Sequence, residues 1–208
     1  MKLPRQGIHI VENCIPPILQ DLIEQYYYSD DCLWEVNVGR TSLSEVKIED
    51  GPIIKRNEFN LIIPILQNCL REIEVEYDES KVVLARAIMQ PIEDSNKLNI
   101  FHVDTTKKCY TLVYYVSDCD GDTLFSNKTF DECAFQERVF TNKFEEKKYS
   151  EKVRLCGESE QKQLLDDLAF RKTPKKGTAV IFDGSIYHVS TRPTKNKRCT
   201  LNFNYEWS

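Results

Sequence analysis

Histidine is scarce in this chain. His9, His102 and His188 are the only three in 208 residues, so any site built on imidazole has few ways to form. Other absences narrow the field further. No run of 18 or more apolar residues occurs, which excludes a membrane-spanning helix. Met1-Lys2-Leu3-Pro4-Arg5-Gln6-Gly7 has no apolar h-region, so secretory export is not expected. The eight cysteines (Cys14, Cys32, Cys69, Cys109, Cys119, Cys133, Cys156 and Cys199) include no C-x-x-C pair. That spacing argues against a cysteine-based zinc site, and the expectation is reduced thiols in a cytoplasmic compartment. Nor is there a basic excess. A net charge of -5 and a pI near 5.4 argue against general attraction to nucleic acid or to an anionic membrane. The chain shows no internal repeat and no low-complexity segment.

What is there suits one folded domain spanning residues 1–208. Hydrophobic residues make up 41% and charged residues 29%, as in ordinary globular proteins. Residues 7–14 form a short apolar segment suited to a strand, and Ile15-Pro16-Pro17 opens a helix whose first turn tolerates proline. Ile18, Leu19, Leu22, Ile23 and Tyr26 follow helical spacing and are expected to be its buried stripe. Residues 29–50 are polar and irregular, with Trp34 as an anchor. A second helix is predicted over 60–73, with Pro64 inside it, and a strand over 81–89. From residue 100 the character turns to strand. Predicted strands cover 100–104, 109–116, a start at 124–125, 178–182, 186–190 and 198–205, with turn chemistry between them. Residues 126–172 are densely charged. They are expected to form an insertion on the surface with a short helix at 161–170. The fold class expected is α+β: a double-stranded β-helix (jelly-roll) barrel with the N-terminal helices packed on one sheet.

The chemistry centres on Phe101-His102-Val103-Asp104. On an extended segment His102 and Asp104 point to one side, because successive side chains alternate. One imidazole and one carboxylate supply two ligands of a transition-metal site. His188, on a short predicted strand, is the candidate third, and His9, flanked by apolar residues, reads as a packed or surface histidine. Two histidines and one carboxylate form the facial set that holds non-heme Fe(II) and leaves positions open. A 2-oxo diacid bound there would also need a buried cation for its distal carboxylate, and arginine's planar fork suits that task. Arg198, ten residues after His188, is preferred over Arg192 and Lys197.

Taken in order, the chain carries H-x-D, an aromatic strand, a Gly-containing turn, an apolar strand, a histidine, then a basic residue ten further on. In that order it resembles the Fe(II)/2-oxoglutarate-dependent dioxygenases, and within them the prolyl 4-hydroxylase-like branch. The resembling residues run over 101–125 and 174–205. The resemblance implies Fe(II) held by His102, Asp104 and His188, 2-oxoglutarate and O2 as cosubstrates, and ascorbate as a reductant. It also implies Arg198 on the distal carboxylate of 2-oxoglutarate, with Tyr115, Thr111 and Val113 lining the pocket; strand parity agrees, since all three share one face. Gly121-Asp122-Thr123 resembles the branch's Gly-Gly-x-Thr turn with Asp122 in place of the second glycine. The tyrosine and glycine that often precede H-x-D are missing, and relatives with a nine-residue spacing would point to Lys197. The activity implied is hydroxylation of an unactivated C–H, a prolyl residue of a peptide or protein, with release of succinate and CO2. No catalytic residue beyond the metal site is expected. The alternatives are a nucleic-acid dealkylase of the same superfamily, or a catalytically silent barrel that binds a peptide or anion.

Overall fold

The strand CYTLVYY decides the layering, because it is buried at every position from Cys109 to Tyr115. Its two faces meet different neighbours. Tyr110, Leu112 and Tyr114 join one large apolar cluster, whereas Val113 and Tyr115 join a smaller one. A strand covered on both faces has to lie between two layers, and it does.

In the computed structural model of the chain, the described residues are 7–30, 32, 34–36, 43–49, 59–104, 108–129, 138–141, 148–151 and 158–207. Strands and helices follow in the order β1 (Ile8–Val11), α1 (Pro17–Tyr28), β2 (Glu35–Val36), β3 (Leu43–Glu49), α2 (Phe59–Glu72), β4 (Val82–Gln90), β5 (Cys109–Tyr115), β6 (Thr123–Thr129), β7 (Arg138–Thr141), β8 (Lys148–Glu151), α3 (Glu158–Asp166), β9 (Leu168–Lys172), β10 (Ala179–Asp183), β11 (Ile186–Ser190) and β12 (Arg198–Glu206). A major sheet runs β1-β10-β5-β12-β4-β3-β2, a minor sheet β11-β6-β9, and β7 pairs with β8. Every pairing within them is antiparallel. Two isolated bridges, Leu98↔Thr191 and His102↔His188, add a further extended segment alongside β11.

Helices α1 and α2 cover one face of the major sheet. Ile23 and Tyr27 of α1 and Ile62, Ile65, Leu66, Cys69 and Leu70 of α2 share a cluster with Ala85, Ala87 and Met89 of β4 and with Leu201, Phe203 and Tyr205 of β12. The minor sheet packs on the opposite face. There Val113, Tyr115, Val180 and Phe182 of the major sheet meet Phe125 and Ile186 of the minor one. The mixed architecture with helices on one sheet is the one expected.

Three local expectations are corrected. The buried residues of α1 are Gln20, Ile23 and Tyr27, whereas Ile18 and Leu22 are 65% and 44% exposed. The helix is turned by what anchors it. Gln20 Nε2 donates to Ile15 O at 2.9 Å, and its amide fills the space beside Gly177, where a Cβ would come within 2.2 Å of it. Gly177 also has φ of 76°, a left-handed conformation that favours glycine. The second correction concerns residues 126–172. They contain α3 at Glu158–Asp166, and residues 168–170, expected as the end of that helix, belong to β9, which pairs with β6 inside the minor sheet. The stretch is therefore partly a sheet component and not only a surface elaboration. Strands β2 and β3 likewise occupy part of the region expected to be irregular. No disulfide joins the six described cysteines; Cys133 and Cys156 lie outside the described residues.

Candidate metal centre

The isolated bridge between His102 and His188 builds the centre. Each backbone N–H donates to the other's carbonyl at 3.0 Å, which sets the two side chains abreast with ring centroids 4.6 Å apart. Asp104 follows two residues on, on the same side of the extended segment. The ligand atoms of the three residues lie within 4.8 Å of one another, and they are the one such group of His, Cys, Asp and Glu among the described residues. Each imidazole is oriented the same way. His102 Nδ1 lies 2.8 Å from Ile100 O and His188 Nδ1 3.1 Å from Ile186 O. A carbonyl only accepts, so Nδ1 carries the proton in each ring and Nε2 is left as the bare nitrogen, the atom a metal needs. His9 sits on β1 opposite Ile181, apart from this group.

Asp104 is the centre's unusual member. Its side chain is 1% exposed, and Oδ1 accepts from Arg86 Nη2 at 2.9 Å. Burial alone would raise its pKa, but the Arg86 guanidinium outweighs that and holds it far below the usual carboxylate range. Oδ2, 3.8 Å from His188 Nε2, is buried with no hydrogen-bond partner. His188 cannot serve as its cation, because burial, reinforced by neighbouring His102, pulls its pKa down to about 4. A buried ionised oxygen left unpaired is costly. A divalent cation held by Oδ2 and the two Nε2 atoms would remove that cost, so the residues present fit a metal.

The inner face of the major sheet carries the second feature. Arg198 opens β12 and is 5% exposed. Its Nε donates to Gly121 O at 3.0 Å, Nη2 to Thr123 Oγ1 at 2.9 Å and Nη1 to Gln90 Oε1 at 3.5 Å. All three partners are neutral, and no described carboxylate pairs with it; Asp122 is bonded to Arg171 instead. Burial accordingly pulls the arginine's pKa down. Gly121 makes the approach possible, since a Cβ there would lie 3.0 Å from Arg198 Cδ and 2.9 Å from Thr191 O. Lys197 is exposed, and Arg192 pairs with Glu93.

Tyr115 lies beneath this guanidinium, 5.9 Å from ring centroid to Cζ, and donates to Thr123 Oγ1 at 2.8 Å. Burial pushes its pKa up to about 12, so it remains a phenol. Val113 is buried on the same face, and Thr111 lies at the far end, donating to Asn204 Oδ1 at 3.0 Å.

No family model matches the chain, and no curated protein matches it. Solved structures do. A 2OG-Fe(II) oxygenase family oxidoreductase from Burkholderia pseudomallei aligns with 99% of this chain and 87% of its own length at TM-score 0.55 and 10% identity. The non-heme alpha ketoglutarate dependent carbocyclase SnoK from nogalamycin biosynthesis aligns over 98% and 81% at TM-score 0.64 and 9% identity. A Trichoplax adhaerens prolyl hydroxylase, solved with a hypoxia inducible factor peptide, aligns over 99% and 86% at TM-score 0.51 and 14% identity. The chain has the 2OG-Fe(II) oxygenase fold.

Within this oxygenase fold, sequence reasoning missed several inner-face residues. Along β12 every second residue is polar: Arg198, Thr200, Asn202 and Asn204. Thr200 Oγ1 and Asn202 Oδ1 are buried without a hydrogen-bond partner, as is Nε of Arg86. Arg86 lies directly across from Asn202 in the pairing of β4 with β12. The signal was legible as a polar period of two inside a strand whose other residues are apolar. Arg86 left no comparable trace, because one arginine in a half-exposed strand reads as solvated.

Proposed function

We propose that this protein is an Fe(II)- and 2-oxoglutarate-dependent dioxygenase, one domain over residues 1–208 whose two sheets form the walls of a jelly-roll barrel. The observation that carries the reading is the buried, unpartnered Oδ2 of Asp104, 3.8 Å from His188 Nε2, with His102 Nε2 3.6 Å from Oδ1 of the same carboxylate. Arg198 supports it independently, as a buried cation with only neutral partners. His102, Asp104 and His188 would hold Fe(II). Arg198 would take the distal carboxylate of 2-oxoglutarate in a bidentate pairing, with Tyr115, Thr111 and Val113 along the pocket wall. Bound Fe(II) with 2-oxoglutarate and O2 supplies the oxidising power to hydroxylate an unactivated C–H, with succinate and CO2 as products.

The chain's own part is binding and orientation. Nδ1–H of each histidine donates to a backbone carbonyl, leaving Nε2 as the nitrogen that would bind the metal. The phenol of Tyr115, still protonated at neutral pH, helps fix Thr123 under the arginine. The apolar walls of Val113, Phe125, Val180 and Phe182 exclude water. No side chain has to act as general acid or base.

For the substrate we propose a prolyl residue in a peptide or protein, in the cytoplasm. The resemblance to the prolyl 4-hydroxylase-like branch supports this, as does the fold likeness to a prolyl hydroxylase that binds a peptide. The nucleic-acid reading needs a basic rim, for which Lys175, Lys176, Arg192, Lys195 and Lys197 are the candidates, and two of these are neutralised: Lys176 is paired with Asp21 and Glu24, and Arg192 with Glu93. A silent barrel would have no use for an unpaired buried carboxylate oxygen.

The test is anaerobic addition of Fe(II) and 2-oxoglutarate, followed by the visible charge-transfer band of the chelate and by succinate on admitting air. Wild-type protein with iron at the triad but neither band nor succinate overturns the enzyme assignment. A panel of proline-containing peptides then tests the substrate class by the mass gain of one oxygen.

A further inference from the structure

We propose that Arg86 is a positioning residue for the metal: it grips Asp104 by Oδ1, so that the carboxylate serves a bound cation through Oδ2 alone. The inference rests on the Fe(II)/2-oxoglutarate reading above and deepens it.

A carboxylate can offer a metal one oxygen or both. With two imidazoles already bound, a chelating Asp104 would leave an octahedral ion two open positions. A bidentate 2-oxo acid together with O2 needs three. The carboxylate therefore has to serve the metal through one oxygen, and a guanidinium on the inner face of the major sheet occupies the other.

Strand β4 supplies that residue by its period of two. Ala85, Ala87 and Met89 are buried with the helices, which puts Leu84, Arg86, Ile88 and Gln90 on the opposite, site-facing side. Arg86 Nη2 lies 2.9 Å from Asp104 Oδ1. The bond is charge-assisted, and the 1% exposure of the Asp104 side chain leaves no bulk water to compete for that oxygen. Oδ2 is the atom without a partner. The two oxygens are thus already divided between two tasks. Arginine suits the role better than lysine, because a planar guanidinium fixes the direction of its N–H as well as its charge. Groups that hold ligating side chains from outside commonly set a site's affinity and activity by 10- to 100-fold.

The experiment uses Mn(II) as the probe and reads coordination as well as affinity. A crystal structure of the wild-type protein with Mn(II) and 2-oxoglutarate is expected to show Asp104 on the metal through Oδ2 only, with Oδ1 still on Arg86. In Arg86→Met, Mn(II) is expected to remain bound with Asp104 attached through both oxygens. The 2-oxoglutarate concentration that half-saturates the Mn(II) protein, followed by electron paramagnetic resonance, should then rise about 10- to 100-fold. Arg86→Lys keeps the charge without the planar fork and should fall between the two. A wild-type structure with Asp104 chelating through both oxygens, or bound through Oδ1, overturns the inference whatever the variants do. So does an Arg86→Met or Arg86→Lys protein with wild-type coordination and wild-type 2-oxoglutarate affinity. These results differ from failure of the parent reading, in which wild type takes up no Mn(II) at the triad at all.

Discussion

The two faces of β12 are buried alike and built for opposite purposes. Cys199, Leu201, Phe203 and Tyr205 are at most 1% exposed and pack in the cluster shared with α1 and α2. Arg198, Thr200, Asn202 and Asn204 are at most 7% exposed and look toward the minor sheet. On the first face the buried surface is repaid by apolar contact. On the second, Thr200 Oγ1 and Asn202 Oδ1 have no partner, and Arg198 has neutral ones only. Unmet hydrogen bonds in a buried layer cost on the order of 1–3 kcal/mol each. One face of the strand stabilises, and the other is the face that the proposed cosubstrate would complete.

The comparison breaks most visibly at the metal end. Asp104→Ala removes a proposed ligand, so Mn(II) affinity measured by titration should fall by more than the roughly 100-fold that outer groups account for. Phe203→Ala, on the apolar face, should leave Mn(II) affinity unchanged in the folded protein and cost about 3–5 kcal/mol in urea unfolding. If Phe203→Ala lowers metal affinity as strongly as Asp104→Ala does, the two faces are not separable.

Acidity distinguishes the faces next. His188 has a folded pKa near 4 against an ordinary 6.5. Between those values the unfolded chain binds a proton that the native ring refuses, so the stability of the metal-free protein should fall as pH drops from 6.5 to 4, by on the order of 3 kcal/mol. Asp104 has the opposite origin and a lower window. Its depressed folded pKa stabilises the native state above the unfolded value of 3.8, and that contribution is lost only on further acidification. Urea unfolding of wild type and His188→Leu at a series of pH values checks the order. The first loss should vanish in the variant.

Much of this was legible in the chain because it depended on local periods. The β-branched and aromatic run at 109–116 and the alternation in 198–205 mark strands, and the spacing of His102 and Asp104 puts both on one side. Lys197 precedes β12 and is exposed, whereas Arg198 opens the strand and is buried, so the two adjacent cations are separated as strand parity predicts. What escaped depended on partners far along the chain. β9 contributes only Leu168, Ala169 and Phe170 to a densely charged stretch, and Leu164, Leu165 and Leu168 mimic a helical stripe. The rotation of α1 is set by Gly177 against Gln20, 157 residues apart by number. Arg86 acquires its meaning only when β4 is laid beside β12 and the 98–104 segment crosses it.

The smallest expected effect is the sharpest test of the receiving face. Thr200 is 1% exposed, its hydroxyl has no partner, and it lies between Ile88 of β4 and Tyr115 of β5. Valine has the same branched shape and keeps the strand's preference. If the hydroxyl is merely buried, Thr200→Val removes a desolvated polar atom and should stabilise the ligand-free protein by about 1 kcal/mol in urea unfolding. If it is kept for a ligand, the same variant should need more 2-oxoglutarate to saturate while being more stable. Leu201→Ala, one residue along and on the other face, should show the reverse pair: a loss of about 2–5 kcal/mol with the 2-oxoglutarate requirement unchanged. A destabilised Thr200→Val would mean that the hydroxyl is satisfied in the ligand-free protein, and the division of β12 into a packing face and a receiving face would then end at Arg198.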